Sequence, residues 1–197
     1  MQPHHAKKPF QSLFRALLAA MSNPGRFQPV ESMNHNSPTY TLLLDTAQCL
    51  IDHEVSYAFI GPDLEKLTSE ITQRTGSLRT QLDCADYIFF QGNHSNGEIL
   101  KAKRGAPFYP DSGATVIFQI EDDAKESGDN DTSSSKIVLT GPGIKIPFSP
   151  VQPGLTLQEY LNLKQINAEY PFGVDTIILR GNDHLMAIPR STGIKVR

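Results

Sequence analysis

The ionisable side chains that could act together in chemistry lie close to the C-terminus. Asp183 and His184 are adjacent, Asp175 comes shortly before them, and Arg190 comes shortly after. A carboxylate beside an imidazole can orient the ring for proton transfer. An arginine that is followed by two hydroxyl residues can hold a phosphate by charge-assisted hydrogen bonds. Asp175, His184 and Arg190 are therefore the candidate phosphate-binding or interface residues.

The segment that must position these side chains has the pattern of a β-hairpin. Residues 174–179 are apolar and largely β-branched, residues 180–183 contain the Gly and Asn that tight turns need, and residues 184–188 form a second apolar run. The first run is apolar almost throughout, which is typical of a strand covered on both faces. We therefore expect this hairpin to lie in the core of a sheet.

The hairpin pattern also argues against an active site formed by these residues alone. Neighbouring residues of a strand point to opposite faces, so Asp183 and His184 are not expected to meet. Arg190 could equally pair with Asp175 and close the edge of the sheet. The residues favour a structural role over a site, and no catalytic residue is predicted.

Familiar catalytic signatures are absent from the sequence. It contains no phosphate-binding loop, dinucleotide fingerprint, nucleophile elbow or zinc-binding helix motif. The sequence Gly141-Pro142-Gly143 is predicted to be a structural turn, because Pro142 has no amide hydrogen for a phosphate. The other histidines lack metal-ligand spacing, and Cys49 and Cys84 are predicted to be buried thiols rather than a disulfide or metal ligands. No metal or cofactor is predicted.

Length and composition indicate one domain over residues 1–197, with a cytoplasmic location. The chain has 39% hydrophobic and 20% charged residues, no run of apolar residues long enough for a membrane span, and no apolar signal-peptide core. The net charge of −3 is uneven, because residues 121–135 carry −5 and the remainder carries +2. No concentrated basic surface for nucleic acid is predicted.

Hydrophobic periodicity and turn residues predict an α/β fold with a mixed sheet. A capping box at Thr156 and Glu159 is expected to begin the last helix, with Leu157, Tyr160, Leu161 and Lys164 on one face. Residues 1–9 are expected to be disordered. Residues 122–135 are expected to form a mobile acidic tip between two strands of one hairpin. The predicted helices cover about 10–21, 40–51, 64–76, 95–100 and 156–164, and the predicted strands 55–60, 87–90, 114–120, 136–140, 174–179, 184–188 and 194–196.

Several motifs occur in a consistent order from about Phe10 to the C-terminus, and together they resemble those of one protein family. The resemblance is to the PhnH family, the H subunit of the bacterial carbon–phosphorus lyase core complex. The motifs are Phe14-Arg15-x-Leu17-Leu18-x-x-Met21-Ser22-x-Pro24-Gly25, Pro110-x-x-Gly113-Ala114-Thr115, Leu139-Thr140-Gly141-x-Gly143-Ile144, Pro171-x-Gly173-Val174-Asp175 and Ala187-Ile188-Pro189-Arg190-x-Thr192.

This resemblance implies a role in phosphonate catabolism. In that family the H subunit works with subunits called G, I and L, which together transfer ribose triphosphate from ATP to an alkylphosphonate and release adenine. A separate radical S-adenosylmethionine iron–sulfur subunit, J, later cleaves the carbon–phosphorus bond. The family also implies a three-layer α/β/α sandwich, similar to the large domain of pyridoxal-phosphate-dependent transferases but without their cofactor. The sequence agrees with this lack of cofactor chemistry, since it has no iron–sulfur cysteine cluster and no lysine within an identifiable pyridoxal pocket.

Three hypotheses follow from the sequence. The leading one is a subunit of this complex that docks partners and has no catalytic residues of its own. The second is a stand-alone enzyme that binds phosphate esters through Asp175, His184 and Arg190. The third is a self-associating scaffold, and a homodimer is expected for the isolated chain.

Overall fold

A large mixed β-sheet organises the computed structural model, which describes residues 9–30, 40–121, 137–150 and 154–196. Within these ranges helices and strands are mixed along the chain. The elements are α1 (Pro9–Ser22), β1 (Gln28–Pro29), α2 (Thr41–Leu50), β2 (Ser56–Ile60), α3 (Leu64–Thr75), β3 (Leu78–Arg79), β4 (Tyr87–Gln91), β5 (Thr115–Ile120), β6 (Ile137–Thr140), α4 (Leu157–Ile166), β7 (Asp175–Arg180), β8 (His184–Ile188) and β9 (Gly193–Val196), with short 3₁₀ turns at Glu98–Lys101 and Pro110–Ser112.

The strand order of the large sheet is β1-β8-β7-β5-β4-β2-β3. Strands β2, β3, β4, β5 and β7 are parallel, whereas β8 runs antiparallel to β7, and β1 runs antiparallel to β8. The four longer parallel strands therefore begin at one edge of the sheet, here called the amino edge, and end at the other, the carboxyl edge. Strands β6 and β9 pair antiparallel in a separate two-stranded sheet.

The apolar core lies on both faces of the large sheet. On the first face, α1, α2 and α3 pack on alternate strand residues such as Phe89 and Ile117. On the second face, α4, the first 3₁₀ turn and the two-stranded sheet pack on the intervening residues, such as Phe90 and Phe118. Side chains alternate along a strand, so a strand that is apolar throughout must be covered on both sides. The result is the predicted α/β class in three layers.

The predicted C-terminal hairpin is present. Strand β7 pairs with β8 from Thr176–Ile188 to Arg180–His184, and Gly181 has a φ of 54° in the connecting turn. Strand β7 is also covered on its other edge by β5, so it is an interior strand. The sequence predicted this position correctly, because the β-branched apolar run suits a fully buried strand.

The hairpin predicted for the strands that flank the acidic segment is wrong. Strand β5 pairs with β4 and β7, while β6 pairs with β9. Because β5 is hydrogen-bonded on both sides, it has no free edge for β6. The predicted acidic tip and the first eight residues lie outside the described residues.

Helix α4 begins where predicted, but its buried face differs from the prediction. The Thr156 side chain accepts a hydrogen bond from the Glu159 amide, as an N-cap should. Glu159 is itself buried, whereas Leu157 and Leu161 are exposed at 38% and 37%. The apolar spacing was misleading because a buried polar side chain, described below, orients the helix.

Candidate functional site

The candidate residues lie at opposite edges of the large sheet. Asp175 begins β7 at the amino edge, and His184 begins β8 at the carboxyl edge. Arg190 follows β8 and is back at the amino edge. The length of β7 separates the two edges by roughly 17 Å, at about 3.3 Å per residue. Asp175 and Arg190 therefore meet, and His184 does not join them.

The Asp175–Arg190 pair is partly buried and is joined by three hydrogen bonds. Arg190 Nε and Nη2 donate to Asp175 Oδ2 at 3.0 and 2.6 Å, and the Arg190 backbone amide donates to Oδ1 at 2.8 Å. The remaining contacts of the guanidinium are to the Pro110 carbonyl at 2.8 Å and the Gly113 carbonyl at 3.4 Å. This set of residues, here called the Arg190 junction, joins the end of β8 to β7 and to the loop before β5.

Close backbone packing surrounds the Arg190 junction. A Cβ atom on Gly113 would lie 2.3 Å from the Gly173 carbonyl oxygen and 2.8 Å from Arg190 Nη1. Gly173 has a φ of 141° and lies against Asn167, whose side chain bonds both the amide and the carbonyl of Val174. Only glycine fits at both positions, so the loops before β5 and β7 lock together here.

Residues from three of the motifs meet in the same way at a second junction. A Cβ atom on Gly25 would lie 2.4 Å from Leu139 Cδ1, and one on Gly143 would lie 2.4 Å from the Ser22 carbonyl oxygen. The Gly25 amide donates to the Ala187 carbonyl at 2.9 Å. The motif residues that come together at these two junctions therefore have a packing explanation.

Asp183 and His184 do meet, contrary to the prediction. His184 Nδ1 lies 2.7 Å from Asp183 Oδ1. The alternation rule does not apply, because Asp183 belongs to the turn and only His184 belongs to the strand. Their side chains remain 35% and 50% exposed. The pair orients an imidazole at the surface of the hairpin turn.

A polar cluster occupies the place where an open α/β sheet usually binds its ligand. Strand β2 leads to α3 on the first face, and β4 leads to a 3₁₀ turn on the second. The connections that follow these two neighbouring parallel strands therefore leave on opposite faces of the sheet, which makes this a topological switch point. At their carboxyl ends, Gln91 Nε2 donates to Tyr40 Oη at 2.5 Å and to Asp63 Oδ2 at 2.7 Å. Gln91 Oε1 accepts from the Asp63 amide at 3.1 Å.

The polar side chains of this cluster form hydrogen bonds with one another. A Cβ atom on Gly61 would lie 2.5 Å from Gln91 Cβ, so the two strand ends are in close contact. The hydrogen bonds from Gln91 and then Tyr40 lower the pKa of Asp63. Burial, followed by the neighbouring Asp63, raises the pKa of Tyr40. Both directions are those expected for a phenol and a carboxylate that share a hydrogen-bonded contact.

Sequence reasoning missed the role of Glu159. Glu159 is 1% exposed, and its carboxylate accepts hydrogen bonds from the Ser95 amide at 2.9 Å, the Ser95 hydroxyl at 2.8 Å and Asn162 Nδ2 at 3.3 Å. The Thr156 amide in turn donates to the Asn93 carbonyl at 3.1 Å. The N-terminus of α4 is thus fixed to the loop after β4. The only sequence signal was the capping box, which pointed to a different partner.

Other features of the described residues offer little chemistry. An open cleft of about 620 Å³ beside β2 is lined by Ala58–Ile60, Arg79–Leu82 and Glu98. Cys49 and Cys84 are both free, and the prediction that they are buried is not met: Cys49 is half-buried at the end of α2, and Cys84 is exposed because it lies in a turn. Within the described ranges, no group of three or more His, Cys, Asp or Glu is placed to hold a metal ion. None of the helices described is long and apolar enough to cross a bilayer.

Comparison with known proteins agrees with the resemblance of the motifs. The fold and the two junctions define an α/β protein whose sequence motifs hold its loops together. A family model described as bacterial phosphonate metabolism protein (PhnH) matches residues 4–195, and the chain belongs to this family. It is also similar to a curated protein of Stutzerimonas stutzeri named "Putative C-P lyase subunit protein HtxG", with 28% identity over 195 residues, which is 95% of this chain and 86% of that protein.

Proposed function

We propose that this protein is a subunit of a carbon–phosphorus lyase assembly that degrades organic phosphonates. Its role is to support the transfer of ribose triphosphate from ATP to an alkylphosphonate, without catalytic residues of its own. The family membership and the name of the Stutzerimonas relative support this assignment. The reaction is that of an α-D-ribose 1-methylphosphonate 5-triphosphate synthase, which the partner subunits complete.

The observation that carries the proposal is that the candidate polar side chains bind one another. Arg190 donates hydrogen bonds to Asp175 and to two backbone carbonyls. Gln91 joins Tyr40 to Asp63 at the position where an open α/β sheet usually binds its ligand. A phosphate would have to displace these contacts and leave a carboxylate without its partner, which is costly. A supporting subunit needs no such displacement.

The stand-alone alternative requires Asp175, His184 and Arg190 to act on one substrate. A phosphoryl group that contacts Arg190 lies about the length of β7 away from His184, as argued above. General acid–base transfer needs a direct contact or a single bridging water. The alternative therefore has weaker support than the subunit role.

The partners we propose are the G, I and L subunits and the iron–sulfur subunit J of the same system, in the cytoplasm. The isolated chain is proposed to form a homodimer. Co-expression of the tagged chain with these subunits, followed by affinity purification, should recover a defined complex. A folded chain that recovers none of them would contradict the proposal.

A second experiment separates the subunit role from the stand-alone enzyme. The purified chain with ATP and methylphosphonate should release no adenine, and the reconstituted complex should release it. A His184→Ala variant should support the complex as well as the wild type does, because the His184 imidazole hydrogen-bonds to its neighbour Asp183 in the hairpin turn. Adenine release by the chain alone, abolished in that variant, would favour the stand-alone enzyme.

A further inference from the structure

Three aromatic side chains at the amino edge are exposed to an unusual degree. Phe108 is 91% exposed, and Tyr109 and Tyr170 are each 68% exposed. They lie on two loops, one before β5 and one before β7. We call these three residues the aromatic edge patch. Aromatic side chains are enriched at protein interfaces, and a nearly uncovered Phe contributes nothing to the fold of its own chain.

The two loops share a pattern of charge. Residues 105–110 contain no charged side chain and are bracketed by Arg104 and Asp111, and residues 170–174 contain none and are bracketed by Glu169 and Asp175. An uncharged aromatic centre with a charged border is the composition of a protein–protein interface. A site for a small anionic ligand would instead place cations at the centre.

The loops are also tied to each other, and their backbones are held by hydrogen bonds. The Gly173 amide donates to the Arg104 carbonyl at 2.9 Å, and the Arg104 side chain pairs with Glu169 at 2.7 Å. Ala106 and Tyr109 exchange two backbone hydrogen bonds at 3.0 and 2.9 Å. The Pro110 carbonyl is held by Arg190. Aromatic side chains on a fixed backbone lose little conformational entropy on binding, so they make efficient contact residues.

From these observations we propose that the aromatic edge patch is the surface on which another protein subunit of the phosphonate-degrading assembly docks. This inference rests on the proposed function. The three side chains expose roughly 450 Å², since an aromatic residue buries about 150–250 Å² when fully covered. With its charged border, such a patch accounts for most of one side of a standard interface, about 800 Å² per partner. The partner must supply an uncharged recess that accepts aromatic rings.

A second copy of this chain is a weaker candidate for the occupant. A two-fold contact uses the same surface on both copies, so that surface must contain both the protruding side chain and the recess that receives it. The two loops present rings that are more than two-thirds exposed, which is the convex half of such a contact. A different subunit supplies the concave half without this constraint. Docking there leaves the proposed homodimer intact.

The test uses the full chain co-expressed with the other subunits. A Phe108→Ser, Tyr170→Ser double variant should lose about tenfold or more of its affinity for the complex, because central aromatic residues dominate interface energy. The matched control is Leu78→Ser, which changes a side chain 72% exposed on the outermost strand β3 and should bind like the wild type. Unfolding midpoints should be unchanged in both variants, and a single Phe108→Tyr variant, which keeps an aromatic ring at this position, should retain most of the binding.

Each outcome has a definite meaning. Wild-type recovery of the complex by the double variant would overturn the docking surface while leaving the subunit role intact. A double variant that becomes monomeric by light scattering while the wild type is dimeric would show that the patch is a contact between copies, which also overturns the inference. Failure of the wild type to recover any subunit would refute the proposed function itself, and the docking inference with it.

Discussion

Replacing Arg190 by alanine tests whether the Arg190 junction is structural. The guanidinium is 13% exposed and its partner Asp175 is 22% exposed. Truncation leaves Asp175 with one backbone amide, and it leaves the Pro110 and Gly113 carbonyls without their donor. Breaking a buried ion pair costs about 3–5 kcal/mol, and partial exposure places this loss nearer about 3 kcal/mol. For a chain of this size, the melting temperature should fall by about 6–12 °C.

The assay is urea unfolding followed by circular dichroism, with wild type and variant at equal concentration. The control is Lys101→Ala, which removes the exposed pair between Lys101 and Glu98, whose side chains are 64% and 41% exposed. That pair should contribute about 1 kcal/mol or less. An Asp175→Asn variant completes a double-mutant cycle with Arg190→Ala, and we expect the coupling energy to exceed about 1 kcal/mol.

Two results would refute the structural role of the Arg190 junction. If Arg190→Ala unfolded within about 0.5 kcal/mol of the wild type but reduced binding of phosphonate or phosphate to the assembly, Arg190 would be a ligand residue. The contacts with Asp175 would then be the resting arrangement of an anion site. Additivity of the two single variants would likewise show that the pair contributes no coupling.

Three further variants test other contacts of the fold by the same unfolding assay. Gly113→Ala should destabilise by about 1–3 kcal/mol, because its Cβ would lie 2.3 Å from the Gly173 carbonyl oxygen; a smaller loss would show that the loop can shift. Glu159→Gln should cost about 1–3 kcal/mol by placing an amide donor against a backbone amide, and an unchanged midpoint would contradict the buried contacts. Burial opposes ionisation of Asp86, but hydrogen bonds from Lys103 and a serine outweigh it and lower its pKa. The advantage of the wild type over Asp86→Asn should therefore be present above the unfolded pKa of about 3.9 and be lost as the pH falls through the lower folded pKa. An advantage that persists in acid would exclude this origin.

Local patterns predicted much of the fold. The C-terminal hairpin was predicted because a β-branched run, a Gly–Asn turn and a second apolar run each depend only on neighbouring residues. The first three helices were predicted from their apolar spacing, and Gly76 ends α3 with a φ of 72°, as a C-cap glycine should. Periodicity was less informative for α4, whose orientation depends on Glu159 reaching a serine 64 residues earlier.

Strand pairing was harder to predict than strand position. Strands β5 and β6 are successive along the chain and each was located correctly. Their predicted pairing was wrong because β4 and β7 already occupy both edges of β5. Which edges are free is a property of the completed sheet, and no local pattern contains it.

The candidate site was likewise predicted in part, where its contacts lie within the hairpin, and missed where they join distant residues. The residues themselves suggested that Asp175 and Arg190 could pair, since a strand start and the residues after its partner strand must come close in a hairpin. They did not place Gln91 beside Tyr40 and Asp63, because these residues are distant in sequence and meet only at the ends of β2 and β4. They also gave no indication that two uncharged loops would lie side by side at the amino edge.

The sequence by itself determined the α/β class, the longer helices and strands, the hairpin and the family resemblance, because residue types and their local spacing encode them. It did not predict the two-residue strands β1 and β3, and the helix predicted at 95–100 is the 3₁₀ turn Glu98–Lys101. Only the tertiary structure decided that Asp175 and Arg190 lie at the edge opposite His184, and that the family motifs meet as packed junctions. It also decided which aromatic side chains remain uncovered. The physical reason is that burial and contact depend on the order and direction of the strands, which are fixed by interactions between residues far apart in the chain.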